Sequence, residues 1–308
     1  SIKPAEETPQ CALHLAALSK EAGFPDGVVN VVTGSGEVVG RALCEHPDVS
    51  KISFTGSPEA GRAIQRSAGP MFKRVTLELG GKSPQIVFDD ASFEDALRGC
   101  AMGLFVNQGQ VCAAGSRILV QRGIAQRFAA ALAEVAGTFT VGDPKLPGVQ
   151  MGPVAKKSQY ERVNRYIQMG LDEGAELLAG GVSHATRGWF VKPTIFANAT
   201  NRMTIAREEI FGPVGTVITF DSDDEAIALA NDSDYGLAAT VWTTNLTRAH
   251  RVAGAVKAGA IGVNCWSPLD ANLPWGGLKT SGIGREGGLA GALAYTEEKI
   301  ITVLLPAA

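Results

Sequence analysis

The sequence lacks the features that mark three large classes of protein. Of its 308 residues, 28 are Lys or Arg and 31 are Asp or Glu, and neither sign of charge forms a block, which argues against a nucleic-acid or anionic-membrane partner. It has no run of about twenty apolar residues that could span a bilayer. Residues 1–9 have no apolar segment of the kind found in a secretory signal. We therefore expect a soluble, cytoplasmic protein.

The cysteines are few and widely spaced. There are five of them, an odd number, and no C-x-x-C pair occurs among Cys11, Cys44, Cys100, Cys112 and Cys265. This pattern argues against a disulfide framework and against a zinc site. The sequence predicts a reducing compartment and no bound metal.

The 45% hydrophobic content supplies ample material for a core, and it is arranged in alternating strand-like and helix-like segments. Strand-like segments cover residues 28–32, 51–54, 74–78, 85–88, 117–120, 216–220, 238–242 and 260–264. Helix-like segments cover residues 13–22, 37–44, 58–67, 93–105, 124–135, 223–230 and 247–256. This alternation predicts an α/β fold with parallel sheets in two lobes that meet near residues 80–81. Residues 299–305 are β-rich, so they either pair inside the fold or add to a neighbouring subunit's sheet.

Cys112 is the first candidate for a catalytic residue, because it follows a small, polar, glycine-containing loop at residues 107–111 that can expose its sulfur. A thiol must lose its proton to become a strong nucleophile, and Glu78 is the nearest strong candidate for the base. The alternative is that Cys112 is a small buried apolar residue, as most free cysteines are. Spacing alone leaves both interpretations open.

Two glycine-containing turns could hold a phosphate group. Residues 32–36 and 54–57 each follow a strand-like segment and open a helix, and Pro58 suits a first helical position. Helix N-termini present free N–H groups and a partial positive charge, so either turn could bind a pyrophosphate. Neither is the full G-x-G-x-x-G motif, because Gly40 comes one residue late after Gly34 and Gly36. Ordinary βα turns are the alternative.

Ordered motifs along the whole chain resemble those of the NAD(P)-dependent aldehyde dehydrogenase superfamily. They lie at residues 3–9, 54–57, 77–84, 107–112, 208–214, 235–237, 274–279 and 281–286. The resemblance implies part of a Rossmann-type cofactor domain at 1–79 and a second α/β domain, the catalytic one, at 80–275. Residues 276–308 would return to the cofactor domain and supply an oligomerisation strand, giving a homodimer or homotetramer. Roughly the N-terminal third of a typical member, with its oxyanion asparagine, is not matched.

The resemblance also implies a reaction. The Cys112 thiolate would add to an aldehyde, the oxyanion would be held by the Cys112 backbone N–H, and loss of a hydride would leave a thioester. Glu78 would then activate the hydrolytic water, which favours a free acid product over transfer to coenzyme A. Glu286 resembles a carboxylate that some members use as a proton relay; a solvated surface glutamate is the alternative.

The implied cofactor is NAD. Lys3 and Glu6 would face the adenosine ribose, and Glu209 with Phe211 would face the nicotinamide side. The remaining predicted cofactor-binding residues are Gly36, Gly56, Ser57 and Gly80. A carboxylate at Glu6 would accept hydrogen bonds from the ribose hydroxyls and repel a 2′-phosphate, so NAD is favoured over NADP. A solvated helix entry is the alternative for Lys3 and Glu6.

The implied substrate pocket is apolar and partly aromatic. It comprises Phe105, Val106, Val111, Ala113, Trp266, Leu269 and Trp275. Such a lining suits aryl or medium-length apolar aldehydes, and tryptophan also binds quaternary ammonium groups. The loop at 264–274 loosely resembles that of phenylacetaldehyde dehydrogenases. Membership of the core is the alternative for these aromatic residues.

Two further functions remain open at the level of sequence. The first is a catalytically silent fragment with a structural or assembly role, whose exposed strand edges would pair with a partner. The second is a cysteine hydrolase that acts on activated esters without NAD. Its usual partner would be a histidine, and none of the four histidines lies in a motif that pairs it with Cys112.

Overall fold

The computed structural model describes residues 1–184, 188–266 and 270–306. The chain divides into two compact units, Ser1–Thr76 and Leu77–Ala308. Residues 276–308, assigned from the sequence to the cofactor domain, fall in the second unit. Within the described residues, no helix is both long enough and apolar enough to cross a membrane.

The first unit is built mainly of helices. They are α1 (Gln10–Glu21), α2 (Arg41–Glu45) and α3 (Pro58–Ala68), with a π-helical turn at Gly36–Gly40 and strand β1 (Lys51–Thr55). Helix α3 begins where it does because the Ser57 side chain accepts a hydrogen bond from the Ala60 N–H (3.2 Å) and Pro58 occupies the first turn. Strand β2 (Arg74–Glu78) lies next to β1 and continues into the second unit.

The strand predicted at residues 28–32 is not formed, so this prediction is wrong. Its backbone pairing in the described part of the first unit is a single bridge between Ile2 and Val31. Val28 and Val32 are 57% and 42% exposed. An apolar run becomes a strand only where a neighbouring strand accepts and donates its hydrogen bonds, and this run has no such neighbour within its unit.

The second unit contains ten strands after β2 and seven helices in the described ranges. The strands are β3 (Pro84–Val87), β4 (Arg117–Gln121), β5 (Glu176–Ala179), β6 (Thr194–Ala197), β7 (Val214–Phe220), β8 (Tyr235–Gly236), β9 (Ala238–Trp242), β10 (Ala260–Val263), β11 (Leu278–Lys279) and β12 (Gly282–Ile283). The helices are α4 (Phe93–Phe105), α5 (Arg122–Thr138), α6 (Lys157–Asp172), α7 (Thr204–Arg207), α8 (Asp223–Asn231), α9 (Leu246–Ala255) and α10 (Gly288–Leu293).

Seven of these strands form one sheet in the order β10-β9-β3-β4-β7-β6-β5, parallel except for β5. Helices cover the central strands on both faces. Because successive side chains of a strand point to opposite sides, the side chains on both faces of these strands are buried. Ile118 packs with α4 and α5 on one face, and Leu119 packs with α8 and α9 on the other. Burying one such side chain contributes about 1.5–3 kcal/mol.

The C-terminal residues form no strand between 299 and 306, so the expectation that this segment pairs inside the fold is wrong. Ile300 and Leu304 are 92% and 94% exposed. The expectation that the segment adds to a neighbouring subunit's sheet stays a prediction.

Candidate active site

Several of the predicted site residues lie near the amino ends of the parallel strands of the second unit. Glu78 is the last residue of β2, and the segment after it leads into β3; the loop carrying Cys112 precedes β4, and Glu209 and Phe211 precede β7. Because β3, β4 and β7 are parallel neighbours, their amino ends share one edge of the sheet. The sequence motifs are therefore gathered in space by the order of the strands.

The loop before Cys112 is held in an unusual backbone conformation. Asn107, Gln108 and Gly109 all have positive φ angles, of 51°, 59° and 67°. For the two non-glycine residues this conformation costs roughly 1–3 kcal/mol each, and such costs cluster at functional sites. Position 109 requires glycine, because a Cβ there would lie 2.3 Å from the Gly212 carbonyl oxygen. The loop thereby comes into close contact with the segment that follows Phe211.

The Cys112 thiol is half-buried, and its surroundings shift its pKa in both directions. Burial is the largest cause of a raised pKa of this thiol. The nearby carboxylates of Glu78 and, more weakly, Glu209 raise the pKa further. The backbone N–H groups of Ala113 and of Cys112 itself act in the opposite direction by donating towards the sulfur. A thiol with a raised pKa needs a base before it can attack at neutral pH.

Glu78 is placed to be that base. Its side chain is 3% exposed, and burial, followed by the charge of Glu286, raises its pKa to about 7. The indole of Trp275, the Gly277 N–H and the charge of Arg285 offset part of this rise. Neither of these two N–H groups meets the geometry of a full hydrogen bond to the carboxylate. The carboxyl is therefore close to half ionised at neutral pH, which suits a general base.

Close backbone packing brings the segment after Glu78 into contact with the loop that carries Cys112. A Cβ at Gly81 would lie 2.3 Å from the Cys112 carbonyl oxygen, so only glycine allows this approach. Cys112 and Trp275 both pack against a small buried cluster that contains Leu237. Glu286 joins the same site, because its backbone forms two hydrogen bonds of 2.7 Å with Trp275.

Ser281 fixes the loop that follows Glu78. Its hydroxyl donates to the Gly80 carbonyl (2.7 Å) and accepts from the Gly236 N–H (3.0 Å), and its side chain is fully buried. Its own carbonyl accepts from the Leu79 N–H at 2.9 Å. One serine thus joins the segment carrying the base to β8.

We expect Ser281→Ala to destabilise the protein and to slow the reaction at Glu78. The substitution leaves a buried N–H and a buried carbonyl without partners, at about 1–3 kcal/mol for each group. Denaturant unfolding measures the loss, and Ser158→Ala in the exposed part of α6 is the matched control. Equal unfolding midpoints for the two variants would contradict this role for Ser281.

The Glu209 side chain is held by the segment that follows Glu78. Its carboxylate accepts a hydrogen bond of 3.0 Å from the Gly81 N–H, and a Cβ at Gly80 would lie 2.3 Å from a carboxylate oxygen. Phe211 adopts a positive φ of 58°, and its carbonyl accepts from the Gln159 side chain at 2.8 Å. Gly80, Glu209 and Phe211, all predicted to bind the cofactor, are therefore held in one part of the second unit.

In the first unit, the predicted cofactor residues form two local groups. The Glu6 carboxylate accepts a hydrogen bond of 2.8 Å from the Gly36 N–H, and Lys3 lies 4.0 Å from the same carboxylate oxygen. Gly56 and Ser57 lie at the start of α3, where a Cβ at position 56 would meet the Phe54 ring at 2.4 Å.

The predicted substrate-pocket residues are divided between two locations and the core. Val111, Ala113 and Trp275 belong to the small cluster beside Cys112. Trp266 packs against Gly103. Together with Met102 it lines a cavity of about 510 Å³.

Phe105, Val106 and Leu269 differ from one another in placement. Phe105 is 1% exposed and packs edge-on against Phe139, with ring centroids 5.1 Å apart, so its side chain belongs to the core. Val106 is half-buried at the start of the loop leading to Cys112. Leu269 lies outside the described residues.

Sequence reasoning missed several residues of this site. The roles of Gly277 and Arg285 beside Glu78 and the two hydrogen bonds of Ser281 were not predicted. Lys82 was also missed, although a lysine in an otherwise apolar segment before β3 was a visible signal. Trp275 was assigned to the substrate, and the structure places it beside Glu78 as well.

Fold and site together define an α/β protein in which a half-buried thiol lies near a buried carboxyl group. A family model described as "Aldehyde dehydrogenase family" matches residues 1–301. Aldehyde dehydrogenase 1A1 of Gallus gallus is 49% identical over 306 residues, which are 99% of this chain and 60% of that relative. The chain therefore belongs to the aldehyde dehydrogenase family.

Solved structures agree with this assignment. The NAD⁺ complex of aldehyde dehydrogenase from Bacillus cereus has a TM-score of 0.94 and 48% identity, over 96% of this chain and 60% of that one. A structure of indole-3-acetaldehyde dehydrogenase with NAD⁺ has a TM-score of 0.93 and 46% identity, with the same coverage. The chain thus spans about 60% of the length of these relatives.

Proposed function

We propose that the chain carries the catalytic centre for oxidation of an aldehyde to a carboxylic acid with NAD. The observation that carries this proposal is the half-buried Cys112 thiol beside Glu78, whose pKa of about 7 matches the working range of a general base. Membership of the aldehyde dehydrogenase family supports the reaction class.

The first step is attack by sulfur. Glu78 takes the thiol proton, and the Cys112 sulfur forms a bond to the aldehyde carbon while the carbonyl electron pair moves to oxygen. The backbone N–H groups of Ala113 and Cys112 donate towards the sulfur. One of them would also donate to this oxyanion. Cys112 and Trp275 pack against the same buried cluster, and the partial burial of the thiol strengthens these interactions.

Each unit, taken by itself, has residues that fit one part of a dinucleotide cofactor. Glu209, held on the Gly81 N–H, and Phe211 would hold its nicotinamide side. Lys3 and Glu6 would hold the adenosine ribose, and the pyrophosphate would meet the α3 N-terminus at residues 56–57. When bound, the nicotinamide would accept the hydride from the former aldehyde carbon, which leaves a thioester on Cys112.

Glu78 then acts a second time, after the proton it took from the thiol has passed to Glu286 and on to solvent. It takes a proton from a water molecule whose oxygen adds to the thioester carbon, the carbon–sulfur bond breaks, and the acid leaves while Cys112 regains a proton. Glu286, half-buried and close enough to raise the pKa of Glu78, would pass the proton on towards solvent. We retain the free acid as product, because a base able to activate water lies beside the thioester.

We propose an aromatic or medium-length apolar aldehyde as substrate. Val111, Ala113 and Trp275 line the region beside Cys112, and indole-3-acetaldehyde dehydrogenase is among the similar structures. Phe105 is left out of this pocket because its ring is in the core.

The test is a panel of aromatic, aliphatic and amino aldehydes incubated with the chain and NAD, followed by the absorbance of the reduced nicotinamide. We expect reduction with at least one aromatic or apolar aldehyde and the corresponding acid as product. Absence of reduction throughout the panel, with cofactor binding confirmed separately, would contradict the proposal.

The Glu6 carboxylate provides a prediction about cofactor choice. In Glu6→Gln the negative charge that repels a 2′-phosphate is gone, so we expect the ratio of kcat/KM for NADP to that for NAD to rise roughly tenfold. Glu21→Gln, in exposed α1, removes the same charge elsewhere in the unit and should leave the ratio unchanged. An unchanged ratio in Glu6→Gln would remove this residue from cofactor selection.

A second candidate function is a silent assembly role, and one observation favours it. Helix α1 has no buried residue, so Leu13, Leu15 and Leu18 are 43–55% exposed. Exposed apolar side chains of this kind gain stability by packing against a partner. Under this alternative the purified chain associates and shows no aldehyde-dependent reduction of NAD.

A further inference from the structure

One fully buried polar side chain of the second unit, Gln85, has no part in the reaction proposed above. It is the second residue of β3, the strand that follows the Glu78 segment, and it is 0% exposed. Val87, two residues further along the strand, packs with α4 and α5, so the Gln85 side chain lies on that same face of the sheet. Side chains in such a position are normally apolar, which makes an amide here a feature that needs a reason.

The amide nitrogen of Gln85 joins the two ends of the segment that carries Cys112. Nε2 donates to the Cys100 carbonyl in α4 (3.1 Å) and to the Gly115 carbonyl just before β4 (3.0 Å). Because both partners are carbonyls, only the donor end of the amide can face them, so its orientation is fixed. One side chain thus connects the helix before Cys112 with the chain that follows it.

The amide oxygen of Gln85 gains nothing from its position. Oε1 is buried and has no hydrogen-bond partner among the described residues. An unpaired buried acceptor costs about 1–3 kcal/mol, which an apolar side chain of similar size would avoid. What the amide supplies here is therefore its two donated hydrogen bonds, and both go to the chain on either side of Cys112.

Cys112 itself lies in a tight turn at residues 111–114, which we call the nucleophile turn. The Ala114 N–H donates to the Val111 carbonyl (2.9 Å), which closes the turn with Cys112 and Ala113 at its centre. The N–H groups of these two central residues donate towards the sulfur. The turn therefore sets the direction of both the thiol and the N–H groups that would hold the oxyanion.

Gly115 follows the nucleophile turn directly and is held from two sides. Its N–H donates to the Gly103 carbonyl (2.9 Å), and its carbonyl accepts from Gln85. A Cβ at position 115 would lie 2.4 Å from Gln85 Cγ, so only glycine allows the amide to come this close. The position of the turn relative to the sheet depends on these two hydrogen bonds at its carboxyl end.

We propose that Gln85 is a positioning residue for the nucleophile turn, which it holds through Gly115 so that the backbone N–H groups of Cys112 and Ala113 meet the oxyanion. This inference rests on the role proposed for Cys112 and adds a residue that does not touch the substrate. Loss of the amide should therefore slow the steps that form an oxyanion on the acyl carbon. A displacement of about 1 Å at a reacting group costs up to roughly 10²-fold in rate.

The test compares two reactions of Cys112, both in protein that carries Glu78→Gln so that an acyl group is retained. With p-nitrophenyl acetate, the thiolate sulfur bonds to the carbonyl carbon, and the resulting oxyanion collapses as p-nitrophenolate leaves. With iodoacetamide, the sulfur bonds to the methylene carbon as iodide leaves, and no oxyanion forms. Both reactions are followed at one alkaline pH by mass spectrometry of the peptide that contains Cys112, and neither needs NAD.

Gln85→Met keeps the length of the side chain and removes its two donors. We expect its acylation rate constant to fall by roughly tenfold or more, while alkylation stays within about threefold of the parent and both reactions go to completion. An unchanged acylation rate would overturn the inference. So would an equal fall in both rates, which indicates lost access to the thiol. Absence of acylation at Cys112 in the parent would refute its proposed role as well.

A matched control separates positioning from general loss of stability. Val252→Ala removes buried methyl groups from α9, on the opposite face of the sheet, so it should lower the unfolding midpoint and leave both rates unchanged. If Gln85→Met does not fold, Gln85→Asn decides, because its amide is one methylene shorter and cannot reach both carbonyls. Its acylation rate should again fall alone. An equal fall in Val252→Ala would assign the effect to destabilisation and refute the role of Gln85.

Discussion

Cys112→Ala abolishes aldehyde oxidation, with an expected loss of at least roughly 10⁴-fold in kcat, because the sulfur forms the bond on which every later step depends. Cofactor binding should be little changed, since the cofactor residues are held by contacts that do not involve the thiol. The measurement is nicotinamide reduction with the best aldehyde of the panel, alongside binding of NAD by calorimetry.

The matched control for this prediction is Cys265→Ala. Cys265 is an exposed cysteine of the same unit, so its loss should leave the rate within about twofold of the parent. Oxidation that survives Cys112→Ala, or that disappears equally in Cys265→Ala, would remove Cys112 from the role of nucleophile.

Glu78→Gln stops the cycle at the thioester. The amide has the size of the carboxyl and cannot accept a proton from water, so we expect hydrolysis to slow by roughly 10²–10⁴-fold. Because Glu78 also takes the thiol proton, the burst is measured at alkaline pH, where the Cys112 thiol ionises without that base. With an activated ester as acyl donor, the variant should then release one equivalent of leaving group and turn over slowly. This assay needs no NAD and therefore isolates the hydrolytic step.

The pH dependence of hydrolysis gives a second readout of the same variant. Only ionised Glu78 can accept a proton, so the parent rate should rise with pH below about 7 and level off above it. Glu78→Gln should lose this rising limb. Rapid turnover in the variant, or an identical pH profile in both proteins, would show that another group activates the water.

Much of the fold could be predicted from local sequence. Helix α4 (Phe93–Phe105) and strand β9 (Ala238–Trp242) have the predicted bounds, because each is a long apolar pattern with a clear end signal. The strand predicted at residues 28–32 fails because this apolar run has no partner strand inside its unit, and residues 299–305 likewise pair with no strand among the described residues of theirs. Whether two segments pair as β-strands depends on the fold of the whole chain, so local composition does not predict it.

The site shows the same division. Cys112 and Glu78 were found from their motifs, because loop composition and the resemblance both point to them. The raised pKa of Glu78 depends on burial and on Glu286, more than 200 residues away in sequence, which no local pattern encodes. Ser281 likewise acquires its role only when the segment before β3 and strand β8 come together.

The central claim is that the acyl group is carried on Cys112 and released by Glu78. Peptide mass spectrometry of Glu78→Gln, quenched after reaction with the activated ester, tests it most directly. We predict the acyl mass increment on the peptide that contains Cys112, and its rapid disappearance in the parent protein. An increment found on Cys11 or Cys265, with the Cys112 peptide unmodified, would contradict the account.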